Sequence, residues 1–564
     1  MFNRISALTL VFLLTSCSGI PKSSEINYGD KISSDTSSQF VRVIARPPTA
    51  GIEPTALIQG FLDACADSTG NFAIARQYLT AGIAKSWKPE TGIDVYEGGS
   101  FEFANSGDQV TVTAAKLGKV LITGHYEVAP ADATVTTNFK ITKDSSGELR
   151  ISELQDGILL SSGDVDRSYR SFPLYFLSPD ATELVTDTVL VPVGSAGAAT
   201  TLVRSLLMGP SSYLAPATSN AFPAGTKLTY GSVPISSGEA QVDLSVEVLT
   251  ADEVTRRALS AQLVWTLSSL PNVSSVRITV SGQPLALADI GNSQTPSDWQ
   301  AFSPLDRSDL TKLNVIRGNQ IVSIDDAGSE TKVADGGQTL AAAALNRAGN
   351  RIAAVSSDGK ELVASESGRK ALNIVAQGEN ITRPTWDTSD NIMFAELGRG
   401  IFEIGLDGKI RNVELDVTSL GISTQVKQVA LARDGVRIAV VLSDGKNDSL
   451  ALGAVVRSKT GSQIVGLHRV ERSLTTIRDL TWKTQLTLAV LGSDLGGSVN
   501  LYNVSLLDGK EIIVLVPTDS QSLIVDSRGQ VVLSTSEAIS PSVFRQDYGE
   551  WKMATMGQVA YFSN

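Results

Sequence analysis

Turn signals recur through the C-terminal half of the chain at a nearly constant spacing, and a repeat constrains a fold more than any single element does. Ala348-Gly349, Ser389-Asp390, Asp434-Gly435, Lys483-Thr484 and Arg528-Gly529 are separated by 41, 45, 49 and 45 residues. An apolar strand follows most of them, as at residues 351–355 and 437–441. A second set of turns reads Asp-Gly-Lys, at Asp358-Gly359-Lys360, Asp407-Gly408-Lys409, Asp444-Gly445-Lys446 and Asp508-Gly509-Lys510. Asp-Gly between strands predicts a type I′ hairpin, in which both central residues take positive φ. A period of about 45 residues with several strands per unit is the size of a propeller blade. One such sheet cannot bury both faces alone, so the units must pack around an axis. Five whole units are visible. Residues 313–335 add about three strands, which residues 558–562 can complete, giving six blades, with five or seven as the alternatives. Trp386 and Trp482 fall just before their turns and are expected to pack between blades rather than stack on a ligand.

The other end of the chain sets the compartment. Residues 1–16 carry one positive charge, Arg4, and a short apolar run, Ala7 to Leu14. That run is far below the roughly 20 residues of a bilayer span, so it reads as an export signal. Leu14-Thr15-Ser16-Cys17 resembles the bacterial lipobox. The resemblance implies cleavage between Ser16 and Cys17, a diacylglycerol thioether on the Cys17 sulfur and an acyl chain on its new amino group. Two or three acyl chains make a stable anchor. Residues 17–45 are Ser-, Asp- and Lys-rich without periodicity and read as a flexible tether. With Cys17 lipidated, only Cys65 remains of the two cysteines, so no intrachain disulfide can form. Cys65 follows Phe61 and Leu57 at helical spacing and reads as a buried apolar residue, not a nucleophile.

Two mixed units lie between. Residues 46–165 open with a helix at Glu53-Pro54, with Pro at the tolerated first-turn position. A second short helix around residues 72–79 and strand-like segments at 100–103, 109–115, 118–127, 134–143 and 149–154 follow. Two helices and then a curved antiparallel sheet resemble the nuclear-transport-factor-2-like (NTF2-like) cone, which can hold a ligand. His125 falls in a strand pattern and reads as an ordinary sheet residue. Residues 170–290 contain Leu174-Tyr175-Phe176, Leu206-Leu207-Met208-Gly209-Pro210, Val242-Asp243-Leu244-Ser245, Gln262 to Leu267 and Val276-Arg277-Ile278, and these resemble a GerMN domain. Thr250 and Glu253 have the spacing of a capping box ahead of its long helix. The fold class is therefore multidomain: two small α+β domains, NTF2-like then GerMN-like, followed by an all-β propeller over 308–564.

The chemistry-bearing motifs are few. Two histidines and two cysteines in 564 residues are too few for an ordinary zinc site and remove most acid–base and thiol chemistry. There is no G-x-S-x-G, P-loop, H-E-x-x-H or C-x-x-C pattern, and every Gly-Lys is followed by Val, Glu, Ile or Asn. His468 stands alone in the sequence. No catalytic, metal-binding or cofactor-binding residue is expected, and no cofactor. The net charge of −12 argues against a nucleic-acid partner.

The whole order (lipobox, tether, α+β unit, GerMN-like unit, propeller, with Trp551 near the end) resembles the LpqB lipoproteins of actinobacteria. That resemblance implies a non-catalytic lipoprotein on the extracytoplasmic face of the cell membrane. Its implied partner is the extracytoplasmic domain of an MtrB-type sensor histidine kinase of an MtrA–MtrB two-component system, in cell-envelope homeostasis and division. A passive envelope scaffold or ligand-binding lipoprotein is the alternative, and an envelope glycan or peptide enzyme a further one, which would require a perturbed carboxylate pair in a pocket.

Overall fold

The computed structural model describes residues 45–564 except 131, 194–196, 305–311, 326, 367–369, 418–419, 421–424, 460, 472, 527–528, 537–540, 548, 560 and 563–564. Cys17, the signal segment and nearly all of the tether lie outside the described residues.

The first unit begins with α1 (Pro54–Ala64), where extended Glu53 precedes Pro54 at the first helical position. Leu57, Ile58, Phe61 and Leu62 give it one buried face, which packs on a seven-stranded sheet. The strands are β1 (Gly92–Tyr96), β2 (Glu102–Ser106), β3 (Gln109–Leu121), β4 (Tyr126–Val128), β5 (Thr134–Lys143), β6 (Leu149–Glu153) and β7 (Ile158–Ser161). Their order is β6-β5-β3-β1-β7, with β2 and β4 also on β3. The two segments expected at 109–115 and 118–127 are largely one 13-residue strand, β3. Alternating burial runs through most of it, so Gly118 does not interrupt it. The sheet is not wholly antiparallel, because β1 and β7 run parallel. The short helix expected near 72–79 is a 3₁₀ turn, Ala75–Tyr78, ahead of α2 (Ala81–Ser86). Cys65 is buried at the end of α1, and burial pushes its thiol well up, with the charge of Asp63 adding to the effect. It is the apolar residue its spacing implied.

After α3 (Ser162–Ser168), the second unit pairs β8 (Tyr169–Leu177) with β9 (Leu184–Pro192) along their whole length. A second small sheet holds β10 (Ile235–Ser236), β11 (Glu239–Leu244) and β12 (Ser275–Val280). Helices α4 (Ala198–Met208) and α5 (Glu253–Leu267) pack against one another and on β8. The expected capping box is absent at α5. Asp252 is the cap, its carboxylate accepting from the Thr255 amide at 2.8 Å, while the Thr250 hydroxyl donates to the Glu247 carbonyl. A charged acceptor one residue from the helix start closes the amide directly, so Thr250 is left in the preceding turn.

The C-terminal region is all-β. Among the described residues it contains six antiparallel meanders. The first is Leu313–Arg317, Gln320–Ile324 and Glu330–Asp335, and Gln558–Val559 from the other end of the region pairs with Leu313–Arg317. Tyr561–Phe562 adds to Leu340–Leu345 of the second meander. The outer strands Ile410–Leu415 and Ser462–Arg469 join the third and fourth.

The two tryptophans do the same thing two repeats apart. Trp386 Nε1 donates to the Ala344 carbonyl at 3.0 Å, and Trp482 Nε1 to the Ala430 carbonyl at 2.9 Å. Each acceptor lies on the first strand of the preceding meander. Arg351 and Arg437 sit over the two rings at 5.0 and 5.1 Å, a cation–π seat at each seam. The Asp-Gly-Lys turns differ from expectation: Gly359, Gly408, Gly445 and Gly509 alone take positive φ. Each Asp side chain instead accepts from the Lys amide two residues on. That bond is available to an Asp held at negative φ, so it replaces the type I′ geometry.

Candidate functional site at the meeting of the three units

Where the first strands converge, Asp479 is 4% exposed and ties four meanders together. Arg383 reaches it at 2.8 Å, Gln428 Nε2 at 2.7 Å and the Leu523 amide at 2.8 Å. Arg383 also donates to the Leu480 and Leu523 carbonyls. A buried ion pair of this kind is retained only with its remaining hydrogen bonds satisfied, and here they are. The middle of the propeller-like region is thus a structural tie.

The turns after the first strands face the second unit. Val436 and Ala454 of the fourth meander share an apolar cluster with Val185, Leu214 and Ala217. Arg437 is 2% exposed, bonded to Asp434 at 2.6 Å and to the Gln485 carbonyl. Gln485 donates to the Pro304 carbonyl and accepts from the Thr186 hydroxyl, and Arg347 pairs with Glu183. Between these contacts lies a cavity of about 290 Å³ bordered by Leu184, Pro304, Trp482 and Val525.

A larger cavity, about 660 Å³, is lined by all three units. The first contributes the connection from β3 to β4. His125 lies in that connection, 4% exposed, and not in a strand. The turn carries it out of the sheet and onto β9. Its Nε2 meets Asp187 at 3.0 Å and its Nδ1 meets the Thr123 hydroxyl at 2.7 Å. An ionised carboxylate can only accept, so Nε2 carries the donated proton. Burial pushes the Asp187 carboxyl up, but His125 and the amides of Ser211 and Thr188 outweigh that and hold it below the usual carboxylate range. The Ser205 hydroxyl and the Leu190 amide fasten α4 and β9 to the Thr123 and Gly124 carbonyls.

The propeller-like region contributes His468, whose ring packs against Tyr213 at a 56° tilt with centroids 4.7 Å apart. Gly466 makes this approach possible. It has φ +65°, and a Cβ there would stand 2.7 Å from the backbone and Cβ of Tyr213. His468 Nδ1 lies 3.0 Å from the Gly466 carbonyl and donates to it. Burial lowers the pKa of this imidazole, so Nε2 is an acceptor near neutral pH.

The two histidines of the chain, read in sequence as a sheet residue and an isolated one, therefore line one cavity. Among the described residues no group of three His, Cys, Asp or Glu is placed to hold a metal. Asp187 and Tyr213 were not singled out in sequence. Asp187 did carry a signal: a carboxylate between Val185 and Val189 in a strand buried nearly throughout needs a partner.

The architecture defines a multidomain protein with a GerMN-like unit and a propeller-like C-terminal region. Residues 47–166 match the lipoprotein LpqB N-terminal domain, 173–286 the sporulation and spore germination (Germane) domain, and 313–555 the lipoprotein LpqB beta-propeller domain. The chain belongs to the LpqB lipoprotein family. It is 30% identical to the LpqB lipoprotein of Thermobifida fusca over 572 residues, covering 89% of this chain and 90% of that one. Identity to the LpqB lipoprotein of Cutibacterium acnes is 26%, with coverage of 88% and 87%. Among solved structures, TolB from Acinetobacter baumannii aligns with 53% of this chain and 83% of its own at 13% identity and TM-score 0.36. The first GerMN domain of GerM from Bacillus subtilis aligns with 23% of this chain and 99% of its own at 20% identity and TM-score 0.20.

Proposed function

We propose that this chain is a non-catalytic lipoprotein held on the extracytoplasmic face of the membrane by acylated Cys17. There it binds and modulates the outer domain of an MtrB-type sensor kinase in envelope homeostasis and division. The observation that carries the reading is the family match along nearly the whole chain. Among the described residues no helix is long and apolar enough to cross a membrane, so the reading assigns the anchor to lipid. Confinement to the membrane surface raises the effective concentration of a partner there, so a modest interface is enough. To change kinase output the lipoprotein must prefer one sensor state over another. In this reading the N-terminal unit is an NTF2-like cone over 46–165, the GerMN-like unit spans 170–290, and the six meanders are six blades over 308–564.

The test is binding of soluble residues 40–564 to the outer domain of the cognate sensor kinase. Saturable binding is expected. No binding at high micromolar concentration would shift the reading to a passive envelope scaffold.

A further inference from the structure

We propose that the cavity at the meeting of the three units is a binding site for a small organic amine with an apolar body. The inference stands on the cavity itself and not on the kinase reading. Its volume, about 660 Å³, lies within the roughly 300–1,000 Å³ of small-molecule sites, which favour domain interfaces. Leu121, Leu452, Leu486 and Leu506 line it and suit an apolar body.

The polar groups select the other end of the ligand. His468 Nε2 is an acceptor because Nδ1 is committed to the Gly466 carbonyl. Ser211 Oγ is buried without a hydrogen-bond partner. Asp187 is ionised, and Glu127 adds a second, exposed carboxylate. The lining cation, Arg437, is held by Asp434, the Gln485 carbonyl and the Trp482 ring. The site therefore offers acceptors and negative potential. An anion would be repelled, and a purely apolar guest would leave acceptors unpaired. An ammonium group answers both conditions.

The test uses the full lipidated chain in lipid nanodiscs, with empty nanodiscs as reference, and three probes sharing one body: 3-phenylpropylamine, 3-phenylpropanol and 3-phenylpropanoate. Calorimetry gives affinity. Because the chain has two histidines, ¹³Cε1-histidine labelling gives two resonances, both from the cavity wall. The amine is expected to saturate and to shift the His468 resonance. The alcohol should bind about tenfold more weakly, a loss of about 1.4 kcal/mol, and the carboxylate should not bind. Glu127→Gln alters an exposed residue and should weaken the amine several-fold without changing the alcohol. His468→Phe keeps an aromatic ring against Tyr213 and should weaken both. Absence of amine binding at about 10 mM, well above the millimolar range of weak ligands, would overturn the proposal. So would equal binding of the carboxylate, or amine binding that leaves both histidine resonances unmoved.

Discussion

The second unit meets its two neighbours in different ways. Toward the propeller-like region the contact is apolar at its centre, with Val185, Leu214, Ala217, Val436 and Ala454 buried together. Toward the first unit, Tyr169 and Leu190 pack on the first core, and a buried polar tie runs through His125–Asp187 and the Ser205 hydroxyl. The first unit touches the propeller-like region through the Lys510–Asp166 pair and through Val128 against Gly509. Apolar burial is non-directional and tolerant of small shifts. A buried hydrogen-bonded pair is directional, and it fails sharply when one partner is lost. The centre of the contact with the propeller-like region is thus apolar, while the contact with the first unit carries a buried polar pair whose geometry must be right.

Four substitutions sharpen that contrast, taken from the largest effect to the smallest. Val436→Asp puts an unpaired carboxylate into the apolar contact and should cost roughly 3–5 kcal/mol, read as a fall in the denaturant midpoint. An unchanged midpoint would show that the contact is not closed in solution. Asp187→Ala leaves His125 Nε2 and the Ser211 amide unpaired and should cost about 2–4 kcal/mol. Its signature is loosened hydrogen exchange at residues 122–128, with the Val436 contact still protected. If both regions loosened equally, the two contacts would be one cooperative unit.

Glu471 gives a pH-dependent case. It is 3% exposed, and burial pushes its carboxyl up to about 7, even though the Leu450 and Leu474 amides donate to it. Its folded pKa is raised, so its contribution is fully present below its ordinary value of 4.5 and is lost as pH climbs to about 7. The loss approaches about 3 kcal/mol. Glu471→Gln should remove this slope from the stability–pH profile between pH 4.5 and 7, whatever its fixed offset. A profile with the same slope as wild type would place the titration elsewhere. The smallest effect belongs to Lys510→Ala. Both members of that pair are about half exposed, and such pairs contribute 0–1 kcal/mol. A larger loss would mean the first unit is held to the propeller-like region more firmly than its contacts indicate.

Local signals in the sequence carried much of the fold. Pro54 and the 3.6-residue period of Leu57, Phe61 and Cys65 each reflect a constraint met within a few residues, while Trp386 and Trp482 were legible through the repeat, their partners Ala344 and Ala430 lying in the preceding meander. What escaped was set by distant partners. β1 and β7 went unseen because their short apolar runs resemble any buried segment. His125 was misplaced because a turn residue bonded to Asp187, 62 positions away, has no local mark. The cavity was illegible for the same reason: its walls come from residues 121–128, 186–188, 210–213 and 437–506, and only folding brings them together.

In the proposed function, the lipoprotein alters sensor output from the membrane surface. The direct measurement is autophosphorylation of the full-length sensor kinase in membranes without the lipoprotein, with the wild-type chain, and with Cys17→Ala at equal total amount. The wild-type chain should change the phosphorylation level, and Cys17→Ala, lacking lipid, should leave the membrane fraction and lose most of that effect. Identical phosphorylation in all three membranes would contradict the regulatory account, and acylation or undiminished membrane retention of Cys17→Ala would contradict the anchor.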